Sequence, residues 1–330
     1  MPSAVLHWPF FRARTVPSSR TTGWLALVTC ILAAGTYTPF AKILTGSLSP
    51  LTLFFLSEAL TGFFVALSFG LMPVLRALAG HSKRTLLWIG AVGLLSGTTA
   101  PLMQFAGIRL SSAVNASFFG SMETFFMLIL AVMLLREPLR RMHIMSAAVM
   151  VLGMLTIVFR GFTEGLTLQV GDGLLVASSA TFAFGSIFFR KHLKRCEPHV
   201  VLFGRSIVAI TCFFLASPFT QHPLISELKN LPVQVIPTLL AFGFLSRFLN
   251  IFSFYQSLDR LPVTIVSLFL NSSVVVAIGL AAFMLGEPLH AWHIAGGALI
   301  ILGSILLEIR GLHSTEKHLE RHLRHKNGHV

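Results

Sequence analysis

The chain has 330 residues, 54% of them hydrophobic and only 11% charged, too little polar surface to cover water-soluble domains of that total length, so most of it has lipid as its solvent. Its formal charge of +13 is distributed between apolar stretches and in the tails rather than on one domain face, which argues against a nucleic-acid partner. Three cysteines, Cys30, Cys196 and Cys212, lack CxxC spacing and indicate neither a disulfide framework nor a zinc site.

Residues 1–22 form a basic tail carrying Arg12, Arg14 and Arg20. The following "WLALVTCILAAG" could pass for a secretory signal, but the apolar run continues past Pro39 to Leu44 and no small-residue cleavage site closes it, so an uncleaved first span is expected. A bilayer core takes about 20 apolar residues in a helix, and windows of that size recur at 23–44, 48–72, 85–108, 111–134, 142–160, 171–191, 199–219, 233–258, 262–285 and 291–310. The expected fold is an all-α polytopic membrane protein of ten transmembrane helices.

Two stretches repeat. "LLREPLRRMHIM" from Leu134 returns as "MLGEPLHAWHIA" from Met284, and an ungapped comparison of Leu134–Val158 with Met284–Glu308 has 9 identities in 25 positions. An internal duplication is the reading, with one five-helix repeat over 23–160 and another over 171–310. Five is odd, so the second copy enters the membrane from the opposite side, giving the inverted repeats found in many secondary transporters, with the substrate site near the midplane between halves. Lysine and arginine placement agrees with this. With the N-terminus inside, the inner tails and loops hold nineteen of these residues and the outer loops four (Lys42, Arg109, Arg160, Lys229), while Arg205 and Arg247 lie within spans. Positive charge is retained on the cytoplasmic side, so both termini are expected in the cytoplasm and the chain in the cytoplasmic membrane. Glu137 and Glu287, in the two Glu-Pro-Leu turns, are expected to cap the positive end of the next helix.

The "REPL" and "GEPL" turns, the closing helix "HIAGGALIILGSILLE" and the stretch "YQSLDRLPVTIVSLFLNSSVVVAIGLAAFMLGEPL" from Tyr255 to Leu289 resemble the drug/metabolite transporter superfamily, specifically its EamA-like ten-helix members. The resemblance covers 23–310. It implies two inverted halves, alternating access around a central cavity and transport of a small polar metabolite; members carry amino acids, sugars, nucleotide derivatives or sulfonium metabolites. The family often places an arginine in the second and seventh helices. Arg205 in "FGRSIVA" fits, but "LSEALTG" has Glu58 where the other arginine is expected, a departure that points away from an anionic substrate.

Ionisable groups at membrane depth face a cavity, a partner or a helix end. Glu58, eleventh of 25 residues in its span, and Glu123, thirteenth of 24, belong near the midplane; Arg205 is placed to snorkel toward the cytoplasm; Arg247 lies in the eighth helix. Two readings stand: these charges pair and hold the bundle together, or at least one carboxylate faces the cavity. In the second, Glu58 and Glu123 are the candidate proton-coupling groups, because a proton and a cationic substrate favour the same negative charge. Helical spacing puts Asn115 and Phe119 on the face of Glu123. Tyr37, Gln104, Tyr255 and Asn271 complete the candidate substrate-binding set, each also suited to a helix-to-helix hydrogen bond. The histidine-rich tail, 311–330, aligns His318, His322, His325 and His329 on one helix face but has no motif completing a metal site; no metal or cofactor is expected.

The expected function is a secondary-active carrier of a cationic or zwitterionic metabolite such as an amino acid or S-adenosylmethionine, with the lipid bilayer as its other partner. A neutral or anionic substrate is the alternative within the same class. A membrane enzyme or a channel is the alternative outside it, but no HExxH, GxSxG, Walker or dinucleotide motif and no filter-like loop occurs, so no catalytic residue is assigned. The sequence does not specify an oligomeric state.

Overall fold

A computed structural model describes residues 19–111, 119–120, 122–138, 141–159, 170–194, 196–220, 224–285, 290–303 and 305–306. Asn115, Glu287, Arg12, Arg14, Arg160 and the histidine-rich tail lie outside the described residues. Among those described there is no strand. Seven helices are long and apolar enough to cross a membrane: α1 (Arg20–Thr45), α2 (Pro50–Phe69), α3 (Lys83–Arg109), α6 (Val170–His192), α7 (Pro198–Ala216), α8 (Val233–Arg260) and α9 (Val263–Met284). Three shorter apolar helices fall where the other expected spans lie: α4 (Glu123–Leu135), α5 (Arg141–Ile157) and α10 (Ala291–Gly303).

Local chemistry sets the ends. Ser49 and Ser82 stand in extended backbone before α2 and α3, and their Oγ atoms accept hydrogen bonds from the N–H groups of Thr52 and Thr85 at 3.3 and 3.2 Å, each satisfying one of the orphan donors of a helix start. Pro50 follows Ser49 at the first helical position, where its missing N–H costs nothing. At the end of α4, Arg136 adopts left-handed backbone (φ 55°), and the Glu137 N–H reaches back to the Ala131 carbonyl at 3.2 Å, which closes the helix by a Schellman-type turn. In the repeated sequence the counterpart of Arg136 is Gly286, which lies outside the described residues.

The long helices are not regular. α1 breaks at Thr36, three residues before Pro39. A π-helical segment runs from Gly93 to Thr99 in α3, just before Pro101, and another from Phe242 to Leu249 in α8, after Pro237. Thr98 and Thr99 donate from their hydroxyls to carbonyls five residues back at 3.0 and 2.8 Å, taking up acceptors that the widened turn would otherwise leave weakly bonded.

The two π segments start 149 residues apart, close to the 150-residue spacing of the Glu-Pro-Leu repeat. Contacts obey the same rule. A Cβ on Gly153 would stand 2.6 Å from the Gly296 carbonyl, and one on Gly303 would stand 3.0 Å from the Ser146 carbonyl; shifting both residues of the first pair by 150 generates the second. Gly93 meets Val208 at 2.8 Å while Gly243 meets Leu60 at 2.6 Å, and Gly171 meets Leu110 while Gly23 meets Arg260. Thr36 and Ser246 hydroxyls lie 2.6 Å apart, and Ser96 Oγ lies 2.6 Å from a Cβ built on Gly185. In each case a residue in one half plays toward the other the part its counterpart plays in return. Helix neighbours follow suit: α1 packs on α8 and α9, α6 packs on α3 and α4, and α2 faces α7.

Further polar links between the halves lie at the two ends. At one, Glu137 accepts from the N–H groups of Val263 and Thr264, each at 3.0 Å, and from the Thr264 hydroxyl at 2.8 Å, while within the second half Arg190 donates to the carbonyls of Leu258 and Asp259. The helix that Glu137 caps is therefore α9 of the other half, 126 residues on, and not the following helix α5 as local capping rules suggest. At the other end, Glu227 accepts from the Ser49 N–H and hydroxyl at 3.1 and 3.0 Å, and Ser111 donates to Asp172.

Candidate functional site

Burial separates Glu58 from Glu123. Glu58 is 0% exposed, Arg205 and Arg247 2% each. Arg205 Nη2 donates to Glu58 Oε1 at 2.9 Å, Arg247 Nη2 donates to the same oxygen, and Ser206 Oγ donates to Oε2 at 2.9 Å. Three helices are tied in this way, α2 from the first half with α7 and α8 from the second. Arg205 does not snorkel: it is held inside by Glu58, and Gly97 on α3 gives it room, since a Cβ there would approach Arg205 Cγ at 3.1 Å.

One carboxylate against two guanidiniums leaves the cluster one positive charge in excess. Three further donors are buried beside it without a hydrogen-bond partner among the described residues: Arg205 Nε, Arg247 Nε and the Tyr255 hydroxyl. Tyr255 stacks on Phe189 with ring centroids 4.1 Å apart, and its hydroxyl lies close against the Arg205 guanidinium without the alignment of a full hydrogen bond.

Tyr37 stands at the head of the second segment of α1, next to the break. Its hydroxyl donates to Gln104 Oε1 at 3.1 Å, and its ring packs against Phe105 and Phe242. These two candidates are thus brought together as a helix-to-helix bond between α1 and α3. Asn271 sits at the break in α9, where its Oδ1 accepts from the Thr124 hydroxyl at 2.9 Å and its amide approaches Met150 Sδ.

Glu123 is the first residue of α4 rather than the middle of a longer helix, because the chain turns at Met122 after the helical residues Phe119 and Gly120. It is half-buried and forms no hydrogen bond or ion pair among the described residues. An unpaired carboxylate there is favoured by the positive end of its own helix. Its electrostatic neighbour is Cys30 on α1, whose thiol donates to Asn250 Oδ1 on α8 at 3.2 Å; Asn250 Nδ2 in turn donates to the Ser246 carbonyl at 3.1 Å. Phe119 is buried, and its carbonyl accepts from Ser179 Oγ on α6 at 2.8 Å.

The structure therefore divides the candidates into two groups. Glu58, Arg247 and Tyr255 belong to the α2–α7–α8 cluster; Glu123, Phe119 and Asn271 lie around the interrupted helices α4 and α9. Tyr37 on α1 also borders the first cluster, with Arg247, Glu58 and Arg205 as its charged neighbours, and Asn250, one turn from Arg247 on α8, runs between the two groups. Sequence reasoning left Ser206, Gly97 and Thr124 out of the site. Small hydroxyl and glycine residues carry no charge signal in an apolar helix, and only their partners distinguish them. An apolar groove of about 280 Å³ between α2 and α7, lined by Gly62, Phe63, Phe203 and Ile207 among others, touches the first cluster only through Ser206.

Comparison with known proteins gives this arrangement a context. The EamA-like transporter family matches twice, over residues 21–159 and 169–309. The uncharacterized transporter YyaM of Bacillus subtilis (strain 168) is 22% identical over 202 residues, 60% of this chain and just under two thirds (65%) of that protein. An uncharacterized transporter of Methanothermobacter thermautotrophicus is 24% identical over 305 residues, 88% of each chain. A protein crystal structure superposes with a TM-score of 0.73 at 17% identity, covering 88% of this chain and 97% of its own, a likeness of fold alone. With apolar helices throughout and the family pattern present in both halves, the chain is a multi-pass membrane protein that belongs to the EamA-like transporter family.

Proposed function

We propose that the protein is a secondary-active carrier that moves a small organic cation or zwitterion, an amino acid or a sulfonium compound of the S-adenosylmethionine kind, across the cytoplasmic membrane by alternating access. Ten transmembrane helices form two inverted five-helix repeats, 23–160 and 171–310, with both termini in the cytoplasm. The exchanged contacts between halves support that duplication, and the polar links at the two ends join loops that the charge count assigns to the same side.

The observation that carries the substrate reading is Glu123. A carboxylate at membrane depth without a basic partner among the described residues is costly unless a mobile cation or proton shares it. It opens α4 at a break, across from the break in α9 at Asn271, and interrupted helices are where transporters of this architecture expose polar backbone to substrate. Phe126, one turn on in α4, and Phe119, just before the turn that opens it, offer ring faces to a cationic group. Glu58 has its charge met by Arg205 and Arg247, so the coupling role falls to Glu123: protonation releases the cation, and binding of the cation displaces the proton.

The test is uptake by the full-length protein in proteoliposomes with an imposed pH gradient, using radiolabelled lysine, methionine and S-adenosylmethionine. Gradient-dependent uptake that disappears in Glu123→Gln supports the reading. Uptake that survives the substitution unchanged, or none of the three moving while a neutral or anionic metabolite does, removes it.

A further inference from the structure

The α2–α7–α8 cluster is built for more than joining helices. Its single carboxylate faces two guanidiniums, so a whole positive charge is buried in excess. A buried ion left without its counter-charge costs several kcal/mol. Glu123 does not supply that charge: it forms no ion pair among the described residues, and its electrostatic neighbour is Cys30. Beside the Glu58 carboxylate or the arginines that hold it, Arg205 Nε, Arg247 Nε and the Tyr255 hydroxyl are buried donors without a geometrically formed hydrogen bond among the described residues. What the cluster lacks is one negative charge with oxygen acceptors.

We propose that Arg205, Arg247 and Tyr255 form a carboxylate-binding subsite, occupied by the carboxylate of a zwitterionic substrate when the seam between α2 and α8 opens. This rests on the proposed function, which it deepens: the ammonium or sulfonium end goes to Glu123, and the carboxylate goes to the second cluster. α8 places Asn250 one turn from Arg247, about 5 Å along the axis, and Asn250 is the hydrogen-bond partner of Cys30 beside Glu123. The two poles therefore lie along one seam of α1 and α8. Glu58 holds each arginine by Nη2 and leaves one Nε–H on each, so an incoming carboxylate is offered a charge-assisted bond from each of two guanidiniums, one for each of its oxygens.

Matched pairs that differ only in the carboxylate test this: lysine against cadaverine, and arginine against agmatine, with sodium acetate and sodium chloride as single-anion arms. The readout is the thermal stabilisation of purified full-length protein, since a ligand stabilises the state it binds. Charge-assisted hydrogen bonds make the amino acid act at a concentration about tenfold or more below that of its amine. Arg247→Lys keeps a positive charge for Glu58 but has no Nε–H, and Tyr255→Phe removes only the hydroxyl; both are expected to fold, and both should shrink that ratio, Arg247→Lys to near one. If no member of either pair binds but acetate stabilises the wild type and not Arg247→Lys, the subsite stands and the zwitterion reading falls. Equal action within the pairs and no effect of acetate overturns the subsite, as does a preference for the carboxylate that persists in both variants. Stabilisation by chloride alone, without acetate, also overturns it, because a spherical anion does not need two donors placed for two oxygens.

Discussion

Glu137 holds Thr264 twice, by its backbone N–H at 3.0 Å and its hydroxyl at 2.8 Å, and so one half of the molecule supplies the cap of a helix in the other. A side-chain acceptor at a helix start contributes about 1 kcal/mol, and a charged one somewhat more. Glu137→Ala should therefore lower the stability of the purified protein by about 1–2 kcal/mol, read as a fall in thermal unfolding temperature, while Arg136→Gly at the neighbouring left-handed position should leave it unchanged or raise it. An alanine variant as stable as wild type would mean that the cap is not held in solution.

Glu58 and Glu123 should part company when each is made an amide. Glu58→Gln strands two buried guanidiniums and should cost about 3–5 kcal/mol of stability. Adding Arg247→Gln to it should recover part of the loss, because the two residues interact directly and their effects are not additive. Glu123→Gln removes an unpaired charge and should leave the unfolding temperature near that of wild type. Parallel melts of the four proteins distinguish these outcomes, and equal losses from Glu58→Gln and Glu123→Gln would contradict the division into two clusters.

Close approach of α5 and α10 depends on residues without side chains. Gly153→Val drives a branched side chain into the Gly296 carbonyl, 2.6 Å from the Cβ position, and should destabilise by more than about 2 kcal/mol. Gly303→Val should do the same against Ser146. Gly279→Ala is the control: nothing lies within 4 Å of a Cβ there, and alanine is the better helix former by about 1 kcal/mol.

Sidedness is open to labelling. With the native cysteines replaced by serine, a cysteine at position 141 should react with a membrane-impermeant maleimide only from the cytoplasm and one at position 229 only from outside. Native Cys196, between α6 and α7, is a poor reporter, because burial pushes its thiol up from the ordinary cysteine value. Less of it is thiolate at neutral pH than of a free cysteine, so its labelling rate should keep rising with pH beyond the range where a free thiol levels off. Positions 141 and 229 labelling from one side would exclude the inverted arrangement.

What the sequence by itself determined are the features that lipid imposes residue by residue. A spanning helix must satisfy its own backbone and present about 20 apolar residues to hydrocarbon, so the spans are legible in hydropathy, and the duplication is legible because the Glu-Pro-Leu turns, the His-Ile pairs and the glycine at 153 and 303 recur in both copies. The charged residues at membrane depth were legible too, since each stands out against an apolar run. Their partners were not. Glu58 is 147 residues from Arg205 and 189 from Arg247, and Glu137 reaches 126 residues to α9, separations that no local pattern encodes. The π segments are equally silent, because "GLLSGTT" and "FGFLSRFL" read as ordinary helix until a neighbour packs into the widened turn. Tertiary structure decided which carboxylate is neutralised and which is left unpaired, because Coulomb energy in a low-dielectric interior depends on distances that only the packed halves set.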